Sequence, residues 1–108
     1  MATRTEEDKR LELQNIFETL LDSKNVYFQP PETLKMSYPC IRYNRSQSRT
    51  FKADDKLYNF RQGYTVILIE HDPDSDLAKR MLDIFDFIKI ESYYRSDGLN
   101  HTKLLIYY

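Results

Sequence analysis

Apolar residues recur near the start of the chain at the three-and-four spacing that marks one face of a helix. Leu13, Ile16, Phe17, Leu20 and Leu21 make the stripe. Ahead of it, Thr5-Glu6-Glu7-Asp8 has the form of a capping box, with its acids set to meet the positive end of the helix dipole. Asp22-Ser23-Lys24-Asn25 is a stop signal, so the pattern predicts a helix over about residues 5–23. The stripe is too short for a coiled coil, which leaves a sheet face as its natural partner.

Helical spacing is then lost. Residues 24–38 read as a loop: Pro30-Pro31 opposes helix and central strand alike, and Pro39 pushes Tyr38 toward extended geometry. An irregular connector of about 12 residues is long for a compact domain and is a candidate contact loop. From residue 39 the period changes to two. CIRYNR places Ile41 and Tyr43 on one face and Arg42 on the other. SRTFKA is a second extended piece, and Ala53-Asp54-Asp55-Lys56 is a turn signal. The third strand, Leu57 to Glu70, is the longest. Tyr58, Phe60, Tyr64, Val66 and Leu68 share one face, and at Ile67 and Ile69 the other face also turns apolar, as if covered on both sides. A second helix follows, with a stripe of Leu77, Met81, Leu82 and Phe85. Phe87 to Tyr94 and Asn100 to Tyr108 alternate again around Arg95-Ser96-Asp97-Gly98, a hairpin turn with Asp-Gly at its tip. The order α-β-β-β-α-β-β predicts an α+β fold, a mostly antiparallel sheet of four to five strands with both helices packed on one face.

Composition fits one domain spanning residues 1–108, too short for two cores. Forty-one per cent hydrophobic residues suffice for folding, and the aromatic set is nine Tyr and six Phe without Trp. Tyrosine pairs an apolar body with a polar tip, which suits half-buried sheet faces and subunit contacts. A formal net charge of -1 argues against a dedicated nucleic-acid binder. No stretch approaches the roughly 18 consecutive apolar residues of a membrane span, and MATRTEEDKR has no secretory apolar region, so no membrane association is expected. A lone cysteine, Cys40, can form no internal disulfide and suits a reducing compartment.

HDPDSD, residues 71–76, is the stretch that most resembles a chemical site. Asp72, Asp74 and Asp76 alternate as at the start of a calcium loop, and Asp83 falls at the twelfth place. The sixth place, however, holds Leu77 where such a loop needs glycine for its sharp turn. The residues fit a helix start better: Asp74 or Ser75 as N-cap, Pro73 ending the strand, and Asp76 in the first turn. His71 and His101 show no metal-ligand spacing with each other or with Cys40. Cys40 reads as a small buried hydrophobe rather than a nucleophile. Two glycines, Gly63 and Gly98, provide neither a phosphate loop nor a nucleophile elbow. No catalytic, cofactor or metal residues are expected, and the chain does not read as an enzyme. RYNRSQSR with Lys52 is the strongest basic cluster, suited to phosphates, to an acidic partner, or to a solvated hairpin face.

VYFQPP, SYPCIRYNR, ADDKLYNFRQGYTVILIEHDPDSD and the closing YYRSDGLNHTKLLIYY together resemble the small neck and tail-completion proteins of tailed bacteriophages, most of all the tail terminator family. The resemblance runs from about Val26 to the C-terminus. It implies an α+β subunit that forms a ring with its own copies, usually a hexamer, on the head-proximal end of the tail tube. The ring would stop the tube protein polymerising and present a surface to the neck or head-completion protein. DNA would pass through its lumen unread. The expected location is the head-tail junction of the virion, after synthesis in the host bacterial cytoplasm. No cofactor comes with the family. A closing ring needs two different, complementary patches. Arg45, Arg49, Lys52 and Phe60 of the predicted arm, Asp72 and Asp74 (with Glu70) at the strand end, and Tyr107 and Tyr108 at the last strand are the candidates. A head-closure or stopper protein, or a small non-phage binding module, are the alternative readings. A stopper would be dominated by a β-barrel, and an enzyme would show more His, Cys and Gly.

Overall fold

The computed structural model describes residues 5–52 and 58–108, with backbone alone for residues 49–52 and 58–60. Helix α1 (Glu6–Leu21) starts at the capping box: Asp8 N–H donates to the Thr5 hydroxyl at 3.0 Å, and Thr5 N–H to the Asp8 carboxylate at 3.2 Å. It ends at Asp22, whose left-handed backbone (φ 54°) turns its N–H back to Glu18 and Thr19. Leu13, Phe17, Leu20 and Leu21 are buried, and Ile16 packs against them partly covered.

The strands are β1 (Val26–Phe28), β2 (Cys40–Arg45), β3 (Arg49–Lys52), β4 (Tyr58–Arg61), β5 (Gly63–Glu70), β6 (Ile88–Ser96) and β7 (Leu99–Tyr107), with α2 (Leu77–Ile84) between β5 and β6. Five form one sheet in the order β1-β2-β5-β7-β6, and β3-β4 form a separate hairpin. Every pairing is antiparallel except β1 with β2. The α+β class, the mostly antiparallel sheet and the two helices on one face are as the periodicity predicts.

Three details differ from the sequence pattern. Residues 24–38 are not all loop: Val26–Phe28 joins the sheet edge, Val26 beside Ile41, and the Gln14 side chain donates to Val26 C=O at 3.0 Å. The predicted long strand 57–70 is two strands separated at Gln62. In α2 the buried residues are Ala78 and Met81, joined by Phe85 at its end, while Leu82 is exposed. The predicted turn Ala53–Lys56 and the faces of Tyr58 and Phe60 lie outside the described residues.

The core lies between the helices and one sheet face. Tyr43, Tyr64, Val66, Leu68, Leu104 and Ile106 meet Leu13, Phe17, Met81 and Phe85. Its centre is aromatic: Tyr43 stands 5.2 Å from Phe17, 5.0 Å from Phe28 and 5.8 Å from Tyr64 between ring centroids. Such contacts each add about 1 kcal/mol beyond area burial. On the opposite face Cys40, Ile69 and Leu99 form a second cluster with Tyr27, Met36 and Ile67. Met36 and the Tyr27 hydroxyl, which accepts from Ser37 N–H at 3.1 Å, bring the proline-bearing segment over that face. The double covering expected at Ile67 and Ile69 is therefore present.

The break at Gln62 is a register slip. Arg45 pairs with Tyr64, but four residues onward Arg49 pairs with Arg61, only three residues back. The first strand thus carries one extra residue, and such a bulge bends and twists the ribbon. The Gln62 side chain donates to the carbonyls of Ser46 (2.8 Å) and Gly63 (3.1 Å), completing hydrogen bonds around the slip. At Gly63 the Gln47 carbonyl comes so close that an added Cβ would overlap it, with the Tyr107 ring 3.1 Å away on another side. At the other hairpin, Asp97 (φ 53°) and Gly98 (φ 73°) make the tight turn that Asp-Gly predicts. We expect Gly63→Ala to lower unfolding free energy by about 3 kcal/mol, because backbone must move. Gly98→Ala, strained in φ but in open space, should cost about 1 kcal/mol. Urea unfolding of the two variants measures both.

Candidate functional site

HDPDSD connects β5 to α2 and is held by its own short bonds. Asp72 accepts from Asp74 N–H at 2.9 Å, and the Ser75 hydroxyl accepts from Leu77 N–H at 3.3 Å. The N-cap position is Asp76, not Asp74 or Ser75, and its side chain makes no capping hydrogen bond. Its backbone (φ -96°, ψ 5°) is not the extended form in which an N-cap oxygen reaches back to the helix amides. Helix α2 therefore depends on its buried face, and its first turn contains no acid.

Beside this loop lies a cleft of about 440 Å³. Glu70, Asp72, Asp74 and Ser75 form one wall, with Lys79 of α2. Tyr93 of β6 and Asn100, His101 and Thr102 of β7 form the other. The Asn100 side chain ties the two together, donating to the carbonyls of His71 (3.1 Å) and Glu70 (3.5 Å). Tyr94 stacks on His101 with centroids 4.8 Å apart, and the His101 ring nitrogen Nδ1 sits 3.1 Å from Leu99 C=O. Tyr93 is 67% exposed. The Glu70 carboxyl is pushed above the usual range mainly by burial, and further by the charges of Asp72 and Asp76, against a hydrogen bond from Ser75.

Sequence pattern did not single out Tyr93. Between Ile90 and Ser92 the β6–β7 register shifts, so strict alternation through this strand assigns the wrong face beyond Glu91. Tyr93 then pairs with Thr102 on the helix side of the sheet.

The other candidates separate into two kinds. Asp72 and Asp74 are exposed at the cleft. Arg45 is exposed, yet its guanidinium lies 5.6 Å from the Phe28 ring that Arg10 covers at 4.4 Å, and it hydrogen-bonds the Tyr64 hydroxyl. Tyr108 faces inward, its hydroxyl donating to Glu12 and its ring edge-on to Phe85 at 6.1 Å. Tyr107 is half-buried and, with Phe87 and Leu105, borders a shallow cleft of about 260 Å³. Arg49 and Lys52 lie on β3 and Phe60 on β4; their side chains fall outside the description.

Cys40 is fully buried, and burial pushes its thiol to about 11. Ile69 stands between Cys40 and His101 in the sheet, placing those two about 10 Å apart across two strand spacings. A thiolate-imidazole pair is not available there. Among the described residues no group of three or more His, Cys, Asp or Glu is disposed to hold a metal ion, and no helix is long and apolar enough to cross a membrane. No protein-family model matches the chain, and no curated protein matches it significantly. What the cleft can do chemically is attract a cation and stack it against tyrosine.

Two measurements check this description. Native protein at pH 8 should leave a thiol reagent such as Ellman's unreacted, with one thiol per chain appearing in denaturant; rapid native labelling would contradict the buried site. For Glu70 the folded carboxyl loses its proton at higher pH than the unfolded one. As pH rises through that interval the unfolded chain ionises first, so folding stability falls and stays lower above it. Glu70→Gln should therefore melt higher than the parent at pH 7, with the difference shrinking toward zero below the ordinary carboxylate range.

Proposed function

We propose that the protein is a phage tail terminator, a subunit of a hexameric ring that caps the tail tube and joins it to the neck. The sequence resemblance supports this reading, and the observation that carries it is the β3–β4 arm. The longest strands of the sheet have nine residues, about 30 Å at strand rise, whereas the molecule extends 50 Å in one direction and 23 Å in the others. A two-stranded hairpin is marginal in water by itself, so an arm that extends past its own sandwich gains from packing on a neighbour. An open sheet covered by two helices also suits a terminator better than a stopper, for which a β-barrel is expected. The ring would contact the tail tube protein on one side and a neck or head-completion protein on the other. DNA would pass through the lumen, and a chain of formal net charge -1 would hold phosphates only weakly. The residues serve assembly in this reading, without catalytic or cofactor chemistry.

The test is solution mass together with negative-stain images of the protein mixed with tail tube subunits. We expect an assembly about six times the 13.0 kDa chain mass, free or formed on the tube, and tubes closed at one end. A protein that stays monomeric and leaves tubes growing and uncapped would refute the assignment.

A further inference from the structure

The β3–β4 arm and the Tyr93 cleft lie at opposite ends of the same ribbon and carry opposite charge. Between residues 45 and 61 the sequence has five basic side chains and two acidic ones, Asp54 and Asp55. Between residues 70 and 76 it has four acids and no Lys or Arg. Strand β5 leaves the arm at Gly63 and delivers the chain to the cleft at Glu70, at the far end of an eight-residue strand and about 23 Å away. A chain cannot bring its own arm back across that distance to its own cleft. Any pairing of the two joins separate copies.

We infer that the end of the β6–β7 sheet around Tyr93, together with the 71–76 loop, is the docking surface for the basic β3–β4 arm of a second copy. Three observations fit that occupant. Tyr93, 67% exposed on the helix side of the sheet, offers flat aromatic surface of the kind that receives a guanidinium or a strand side chain. Glu70, Asp72 and Asp74 border the cleft against one Lys, so an incoming Arg or Lys meets a field of opposite sign. Arg45 and Arg61 at the root of the arm are already placed over Phe28 and Phe87 of their own subunit. The basic position further out on β3 is Lys52, while Arg49 lies level with Arg61 in the register. The Glu70 carboxyl, held neutral more readily than an ordinary one, gains a counter-charge when the arm arrives.

Arm-to-cleft contact is head to tail. It uses two different patches, and it propagates until rotation closes it into a ring. The inference deepens the ring assembly proposed above and rests on it only for closure.

The test is sedimentation of four proteins at about 0.05 M and about 0.5 M salt, where screening separates charge-driven from apolar contact. They are the parent, a cleft reversal (Asp74→Lys with Asp76→Lys), an arm reversal (Arg49→Glu with Lys52→Glu), and the chain carrying all four changes. Neither the Asp74 nor the Asp76 side chain makes a hydrogen bond described above, and circular dichroism melts confirm folding. We expect the parent to associate at low salt, each reversal to shift at least tenfold toward monomer, and the fourfold variant to recover. Rings that form regardless of both reversals would overturn the docking surface while leaving the ring intact. Charge-dependent association into open filaments would support the docking surface and overturn the ring. A parent that remains monomeric at low salt and high concentration, with tubes as well as without, would overturn the docking surface outright.

Discussion

A phenol hydroxyl in the middle of an apolar core has to find a partner, and the rest of this fold is arranged around the one that does. The Tyr43 hydroxyl donates to the Gln14 side chain at 2.5 Å, while the same Gln14 amide donates to Glu18 at 3.1 Å and to the Val26 carbonyl. One glutamine thus connects helix α1 to two strands. The Tyr43 ring, 1% exposed, meets Phe17, Phe28 and Tyr64 around it. Without the amide, a buried hydroxyl would carry a desolvation penalty of about 1–3 kcal/mol. With it, the position of α1 over the sheet is set by a directional bond as well as by apolar contact. The same burial pushes the Tyr43 and Tyr64 phenols above their usual range, so both remain neutral throughout ordinary pH.

Much of the sandwich was legible because its elements carry one period each. The stripe from Leu13 to Leu21, the alternation at Ile41 and Tyr43, and the Asp-Gly tip report local geometry that tertiary packing did not override. What was not legible depends on partners far away in sequence. Val26–Phe28 is a strand only because β2 lies alongside, and its neighbouring prolines mask it. The split at Gln62 goes with one extra residue on the facing strand, which no periodicity contains. Leu82 and Ala78 exchanged roles because α2 has eight residues, too few for a stripe to define one direction.

The site was legible in part. HDPDSD was read as a joint between strand and helix, and it is one, although the N-cap position is Asp76, without a side-chain capping bond, rather than Asp74 or Ser75. Its acids were expected to face a neighbour, and they border a cleft whose opposite wall comes from residues 93–102. That wall was invisible because a bulge resets the alternation of β6. Tyr108 was a candidate for a subunit contact, and within its own chain it pairs with Glu12 on a helix ninety-six residues earlier. Terminal position says little about exposure when a last strand lies inside the sheet.

The register slip at Gln62 also bears on how such a protein diversifies. Beyond the extra residue, the arm no longer shares the pairing frame of the sandwich. A hairpin can lengthen or shorten by one residue on each strand without moving the frame beneath it. Here the slip, sealed by the Gln62 side chain, separates the pairing frame of the body from that of the arm. Body and arm then keep separate registers, so a change in the length of the second need not shift the pairing of the first.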